Sequence, residues 1–204
     1  MKSKTIVPGL STMRVKWIGM RPLIMHNGRL ADPTDDYTRK IKALTKSNKG
    51  DNKTETKDAE VARAEWEGSL YYDSSVGVYV PADNIERVIQ LGAQKCKLGK
   101  QVQAAVFCTE DCVRVPLKYV GPKDLDELYA RPEFRLRKGV CVKKARVIRT
   151  RPMFPTGWEV EFSIEFDDSV VDAEAVLRSM VDAGRLVGLG DWRPKFGRFL
   201  VETV

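Results

Sequence analysis

The sequence predicts an α+β protein built on a ferredoxin-like β-α-β-β-α-β core that carries two insertions. Three observations carry that expectation. Residues 13–20 and 158–166 alternate apolar and polar side chains with a period of two, as strands with one buried face do. Residues 83–97 hold an apolar stripe spaced i, i+3, i+4, i+7, as an amphipathic helix does. With the insertions set aside, the remaining elements run strand, helix, strand, strand, helix, strand. That order describes a split β-α-β unit, an antiparallel sheet with both helices on one face.

A hydrophobic share of 43% over 204 residues is enough for one core with long loops. No Pro/Ser/Gly-rich linker divides the chain, so residues 1–204 are read as one domain. One insertion or arm spans residues 25–80, and a second spans residues 99–139. Lys and Arg number 35 against 28 Asp and Glu, a net charge of +7. That surplus suits a phosphate-bearing partner as well as it suits an ordinary basic protein. The cysteines, Cys96, Cys108, Cys112 and Cys141, form no CxxC pair, and the single histidine is His26. No metal site and no cofactor are therefore expected. Cys96 and Cys141 read as buried thiols, and reduced thiols suit the cytoplasm. The first residues lack a signal-peptide core, and no apolar run approaches the ~18 residues of a membrane span. A cytoplasmic protein without membrane contact is expected.

In chain order, Met13, Val15, Trp17 and Gly19 face the core in the first strand, which Pro22 ends. Residues 45–58 (TKSNKGDNKTETKD) hold almost no apolar side chain and are expected to form a mobile loop. Residues 59–67 predict a short helix that packs Trp66 on the core. Residues 78–80 form a strand closed by Pro81. In the helix that follows, Asp83 and Glu86 have capping-box spacing. Short strands near 112–120 and a helical turn near 124–130 occupy the second insertion. Residues 140–149 read as one strand of the core, and the connector TRPMFPTG reads as a hairpin loop into residues 158–166. Asp172 caps the second core helix, with Val176, Met180, Ala183, Gly184 and Val187 on one face, and residues 199–204 close the sheet.

The strongest local feature is residues 188–199, GLGDWRPKFGRF. Gly188, Gly190 and Gly197 permit unusual backbone angles and close approach. Arg193, Lys195 and Arg198 add charge for phosphates, while Trp192 and Phe196 add flat surface for unstacked bases. The ordinary alternative is a tight connection with both aromatics in the core. A second basic region includes Arg131, Arg135, Arg137, Lys138, Lys143, Lys144, Arg146, Arg149 and Arg151, with Glu133 the only carboxylate among them. It suits a phosphate track. Arg87 and Lys95, on the first core helix, are further phosphate candidates, and Trp158 is a further stacking candidate. Lysines near a helix C-terminus also complement its dipole without any ligand.

The glycine-rich segment resembles the C-terminal glycine-rich loop of the RAMP superfamily, RNA-binding proteins of CRISPR effector complexes. WIGMRPLIMHNG (residues 17–28) is similar to the first strand and turn of type I and type III backbone subunits, often written SPLHIG. VYVPADNIERVIQLGA (residues 78–93) is similar to their YIPGSSLKGALR segment. Ala82, Asp83 and Asn84 stand where that segment has PGSS-type glycine and serines, and Glu86 stands for its lysine. The three matches fall in the family's order over about a quarter of the chain. The RNA recognition motif shares the same fold and holds single strands on its open sheet face. Residues 25–39 also resemble a group of bacteriophage proteins.

The resemblance implies non-catalytic binding of single-stranded nucleic acid, RNA in preference to DNA, by a side-by-side homo-oligomer along the strand. It also implies two alternatives. One is a RAMP-type ribonuclease with His26 as acid or base, or with Asp32, Asp35 and Asp36 holding Mg²⁺. For those aspartates the ordinary alternative is a turn followed by helix-capping carboxylates. The other is a phage-encoded mimic that interferes with effector assembly in the host cytoplasm.

Overall fold

The computed structural model describes residues 9–48, 54–142 and 145–204. Lys143 and Lys144, two of the expected strand-binding cations, lie outside the described residues. The architecture mixes helices with three small sheets, as an α+β chain should.

The largest sheet has four strands, and every neighbour is antiparallel. Strand β1 (Leu10–Gly19) lies between β10 (Phe199–Thr203) and β9 (Glu159–Asp167), and β5 (Val106–Cys108) pairs with the far side of β9. The period-two expectation holds. Val15, Trp17, Val160, Phe162, Ile164 and Phe166 are buried, and their neighbours in sequence are not. Helices α3 (Ala82–Ala93) and α6 (Ala173–Asp182) pack together and add Ile85, Val88, Ile89, Val176 and Met180 to the same core. The Trp17 ring stacks on Phe199 at 4.0 Å and meets Phe162 edge-on at 4.9 Å, which fixes the register of β10 against β1.

The outward face of this sheet differs from the expected strand-binding platform. Arg14 pairs with Glu161 at 2.6 Å, Lys16 with Glu202 at 2.7 Å and Lys118 with Glu161 at 3.0 Å. Its cations are matched by carboxylates. Trp158 is fully buried and donates its indole N–H to the Arg21 carbonyl at 2.8 Å, so it is not available to stack on a base.

Several local expectations are corrected. Residues 140–149 are not one core strand. The described residues of that stretch belong to two antiparallel arms, β7 (Arg135–Val142) and β8 (Ala145–Phe154), which form a second sheet with β2 (Leu23–Ile24). The core strand after α3 is β5, reached through α4 (Gly99–Ala105) inside the supposed second insertion. Three residues are too few to show a period, so that strand was invisible in sequence. The connector after β8 joins two different sheets rather than the arms of a hairpin.

Asp83 does not cap α3. Pro81 occupies the cap position, and the Glu86 carboxylate accepts the Cys108 amide at 2.8 Å, tying the helix to β5. The supposed loop at 45–58 is helical at both described ends, in α1 (Asp36–Ser47) and α2 (Glu55–Ser69). Its polar residues are the solvated faces of an α1–α2 pair, and the rest of that stretch, residues 49–53, lies outside the described residues. Trp66 of α2 is buried as expected, and its N–H donates to the Phe134 carbonyl at 2.9 Å. Cys96 is only half-buried and Cys141 is exposed, because neither faces the core.

The remaining strands, β3 (Tyr72–Asp73), β4 (Gly77–Pro81) and β6 (Arg114–Pro116), make a third sheet beside the start of α3. A short helix α5 (Leu125–Ala130) precedes β7, near the turn expected there. No described helix is long and apolar enough to cross a membrane.

Candidate nucleic-acid interface

The glycine-rich segment is strapped onto the chain that leaves β1. The Leu189 amide donates to the Gly197 carbonyl, the Gly197 amide to Pro22, and the Asp191 amide to Ile24, each at 2.8 Å. Two glycines make this possible. Gly197 has φ +70, and a Cβ there would lie 1.7 Å from the Leu189 oxygen. Gly190 has φ +81, and its Cβ would lie 2.3 Å from the Ile24 oxygen. A larger residue at Gly190 would push the loop off the 22–24 segment, and one at Gly197 would force apart the two ends of the loop.

That strap creates a cleft of about 150 Å³ between three pieces of chain. Met25 and His26 come from the turn after β2, Asn84 and Arg87 from α3, and Gly190, Asp191 and Arg193 from the loop. Tyr71 completes one wall and donates its hydroxyl to the His26 carbonyl at 3.4 Å. The three segments that carry the sequence resemblance therefore meet at one place. Leu23, Val80, Val88 and Leu189 give the cleft an apolar floor.

His26 sits at the mouth, with part of the ring open to solvent and the rest packed. Partial burial, and then the Arg151 cation, push its imidazole below the usual pKa, against a smaller opposite pull from Asp191. The ring is neutral at pH 7.

The β7–β8 arm continues this surface. Lys138 lies directly across from Arg149, and Leu136 across from Arg151, so Lys138, Arg149 and Arg151 share one face. The Lys138 ammonium lies 5.8 Å from the Trp192 ring. Arg151 reaches the loop from below, with Nε 3.7 Å from the Asp191 carboxylate and a hydrogen bond to Ser69 Oγ at 3.2 Å. Burial pulls its pKa down. Arg149 is drawn over the strand edge to Glu65 at 2.6 Å, and the same buried carboxylate accepts the Thr150 amide at 2.9 Å. Arg146 lies on the opposite strand face with Arg137, beside α2, where both line a cavity with Arg149 and away from Arg151.

The other expected residues divide in the same way. Arg193, Lys195 and Arg198 are exposed, and Arg198 folds back to donate to the Pro194 carbonyl at 2.9 Å. Trp192, with φ +54, and Phe196 are half-buried and 6.3 Å apart, with Lys138 over the first ring and Lys195 over the second. Neither enters the core. Gly188 (φ +84) receives the chain from the widened last turn of α6, Ala183–Val187. Lys95 is exposed beside Trp192 and Arg193, and Arg87 is exposed with one hydrogen bond to Gln90.

Asp32, Asp35 and Asp36 do not converge. Asp32 accepts the Thr34 amide and hydroxyl at 2.8 and 2.7 Å, Asp35 caps α1 by accepting the Tyr37 amide at 2.9 Å, and Asp36 pairs with Arg39 at 3.9 Å. The turn-and-cap reading accounts for all three. Among the described residues no group of three or more His, Cys, Asp or Glu side chains is placed to hold a metal ion.

Sequence reasoning did not single out Tyr71 or Asp191 as lining residues. Asp191 had a signal, as the one acid inside an otherwise basic loop. Tyr71 had none, because it is brought to His26 only by the fold, whereas Asn84 lies in the segment that is similar to YIPGSSLKGALR.

No family model matches the sequence, and no curated protein does. Solved structures do match. One is a chain from the cryo-EM structure of the Type III-B Cmr-beta complex bound to cognate target RNA. It aligns with a TM-score of 0.50 at 10% identity, covering 96% of this chain. The chain spans 61% of the length of that neighbour. The likeness is one of fold.

Proposed function

We propose that this protein is a RAMP-like, non-catalytic binder of single-stranded nucleic acid, RNA in preference to DNA, on a single ferredoxin-like core. The observation that carries the reading is the meeting of the glycine-strapped loop, the start of α3 and the His26 turn in one cleft. Arg87, Arg193, Lys95, Lys138 and Arg151 border or approach that cleft. The antiparallel order β10-β1-β9-β5, with α3 and α6 packed together, supports the ferredoxin-like assignment. The likeness to a chain of the Type III-B Cmr-beta structure bound to cognate target RNA supports RNA as the ligand. The bound strand runs along the exposed loop cations and the Lys138 face of β7–β8. Trp192 and Phe196 supply stacking surfaces, and neighbouring copies along the strand make side-by-side oligomers.

A salt titration of fluorescence anisotropy with short labelled RNA tests the proposal. The logarithm of the affinity should fall linearly with the logarithm of salt, by about 0.7 per phosphate contacted. Affinity that does not respond to salt would remove the phosphate contribution.

His26 adds a pH signature. Its folded pKa lies below 6.5, so the free protein holds it neutral at pH 7. A nearby phosphate favours the protonated ring, so binding takes up a proton and affinity rises as pH falls below 7. His26→Ala should flatten that rise, and anisotropy across the pH range reads it.

A further inference from the structure

We infer that the cleft beside His26 holds one unstacked pyrimidine base of the bound strand. This rests on the strand-binding reading and adds a base preference to it.

The first argument is size. A cavity of about 150 Å³ accommodates a single benzene-sized ring, whereas pockets for larger molecules start at roughly 300 Å³. A pyrimidine fits as one six-membered ring, whereas a purine's second ring would be left outside that volume.

The second argument is chemistry. The floor is apolar, made by buried Leu23, Met25, Val80, Val88 and Leu189, and it would cover the flat faces of a base. The rim is polar, with His26, Asn84 and Asp191. The Asn84 amide can both donate and accept, as the edge of uracil or cytosine requires. Asp191 is already held by the Trp192 amide at 2.9 Å and by Arg151, so its carboxylate keeps a fixed position at the mouth. An amide can rotate to match either pyrimidine, so uracil and cytosine are not distinguished here.

The third argument is location. Arg87 and Arg193 line the same cleft, and both are exposed. They stand where phosphates on either side of an inserted base would pass. Trp192 and Phe196 lie just outside, placed to take the neighbouring bases by stacking.

Short single-stranded RNAs test the inference on the unaltered protein: oligouridine, oligoadenosine, and oligouridine with one central abasic site. Oligouridine should bind about tenfold more tightly than the other two, the effect of one well-held base. Asn84→Phe plugs the mouth from the half-buried first turn of α3. It should erase the difference while keeping the salt dependence, with circular dichroism reporting an intact fold. Equal affinity for all three RNAs in the unaltered protein overturns the pyrimidine site and leaves strand binding standing. No affinity for any of them overturns both. Uridine monophosphate that binds saturably where no strand does also overturns the inference, since the base would then come from a free nucleotide.

Discussion

Alanine at both Arg87 and Arg193 should lower affinity for short single-stranded RNA by about a hundredfold near neutral pH and moderate salt. Each guanidinium that engages a phosphate contributes roughly 1.5–3 kcal/mol as a charge-assisted hydrogen bond. Two such losses correspond to at least a factor of about a hundred. The slope of affinity against salt should also drop by about 1.4, two contacts at ~0.7 each for a single strand. Both side chains are exposed, and the one hydrogen bond Arg87 makes is to Gln90 on its own helix. The double variant should therefore melt within ~0.5 kcal/mol of the parent. Unchanged affinity in this folded variant would retire the cleft as the phosphate site. Loss of affinity with an unchanged salt slope would assign the two arginines to shape rather than charge.

Gly197→Ala should produce the largest loss of stability from any single methyl group in the loop. The new Cβ would meet the Leu189 carbonyl at 1.7 Å, and φ is +70. Neither can relax cheaply. The Leu189 amide and the Gly197 carbonyl form one hydrogen bond, and the Gly197 amide forms another with Pro22. Left-handed strain for a non-glycine residue costs about 1–3 kcal/mol, and loss of the strap adds roughly 1 kcal/mol per hydrogen bond. A cost of about 3 kcal/mol lowers the melting temperature by ~6–12 °C for a chain of this size. Thermal melting followed by circular dichroism reads it. RNA affinity should fall with it, because the cleft exists only while the loop lies on the 22–24 segment. A variant that melts like the parent would show that the strap is not what holds the loop.

The parts of the fold that were legible in sequence are those with a long period. Strands β1 and β9 and helices α3 and α6 each show several repeats of one apolar face, so their elements and buried sides could be read directly. The failures were short or doubled. Strand β5 is three residues long, and its place at the sheet edge is set by α4 and by the Glu86 bond to Cys108, which no local pattern encodes. The β7–β8 arms were merged because both are basic and β-branched across their junction. The candidate site was half legible. Glycines with cations and aromatics marked the loop, since such a loop has no role in a core. Of the walls opposite it, Tyr71 is an ordinary residue made relevant by packing alone, and Asn84 was marked only by the family resemblance. Trp158 shows the reverse error: an aromatic counted as a possible platform is held in the core by its own N–H.

The ion-paired outer face of the large sheet has a consequence for capture. Glu159, Glu161, Glu165 and Glu202 stand there with Arg14, Lys16 and Lys118, so a polyanion gains little by landing on that side. On the proposed reading, diffusing strands turn instead toward the loop and the β7–β8 arm, where Lys138, Arg193 and Lys195 are exposed. Encounter is thereby made one-sided. On the same reading, association should slow as added salt shortens the reach of that field.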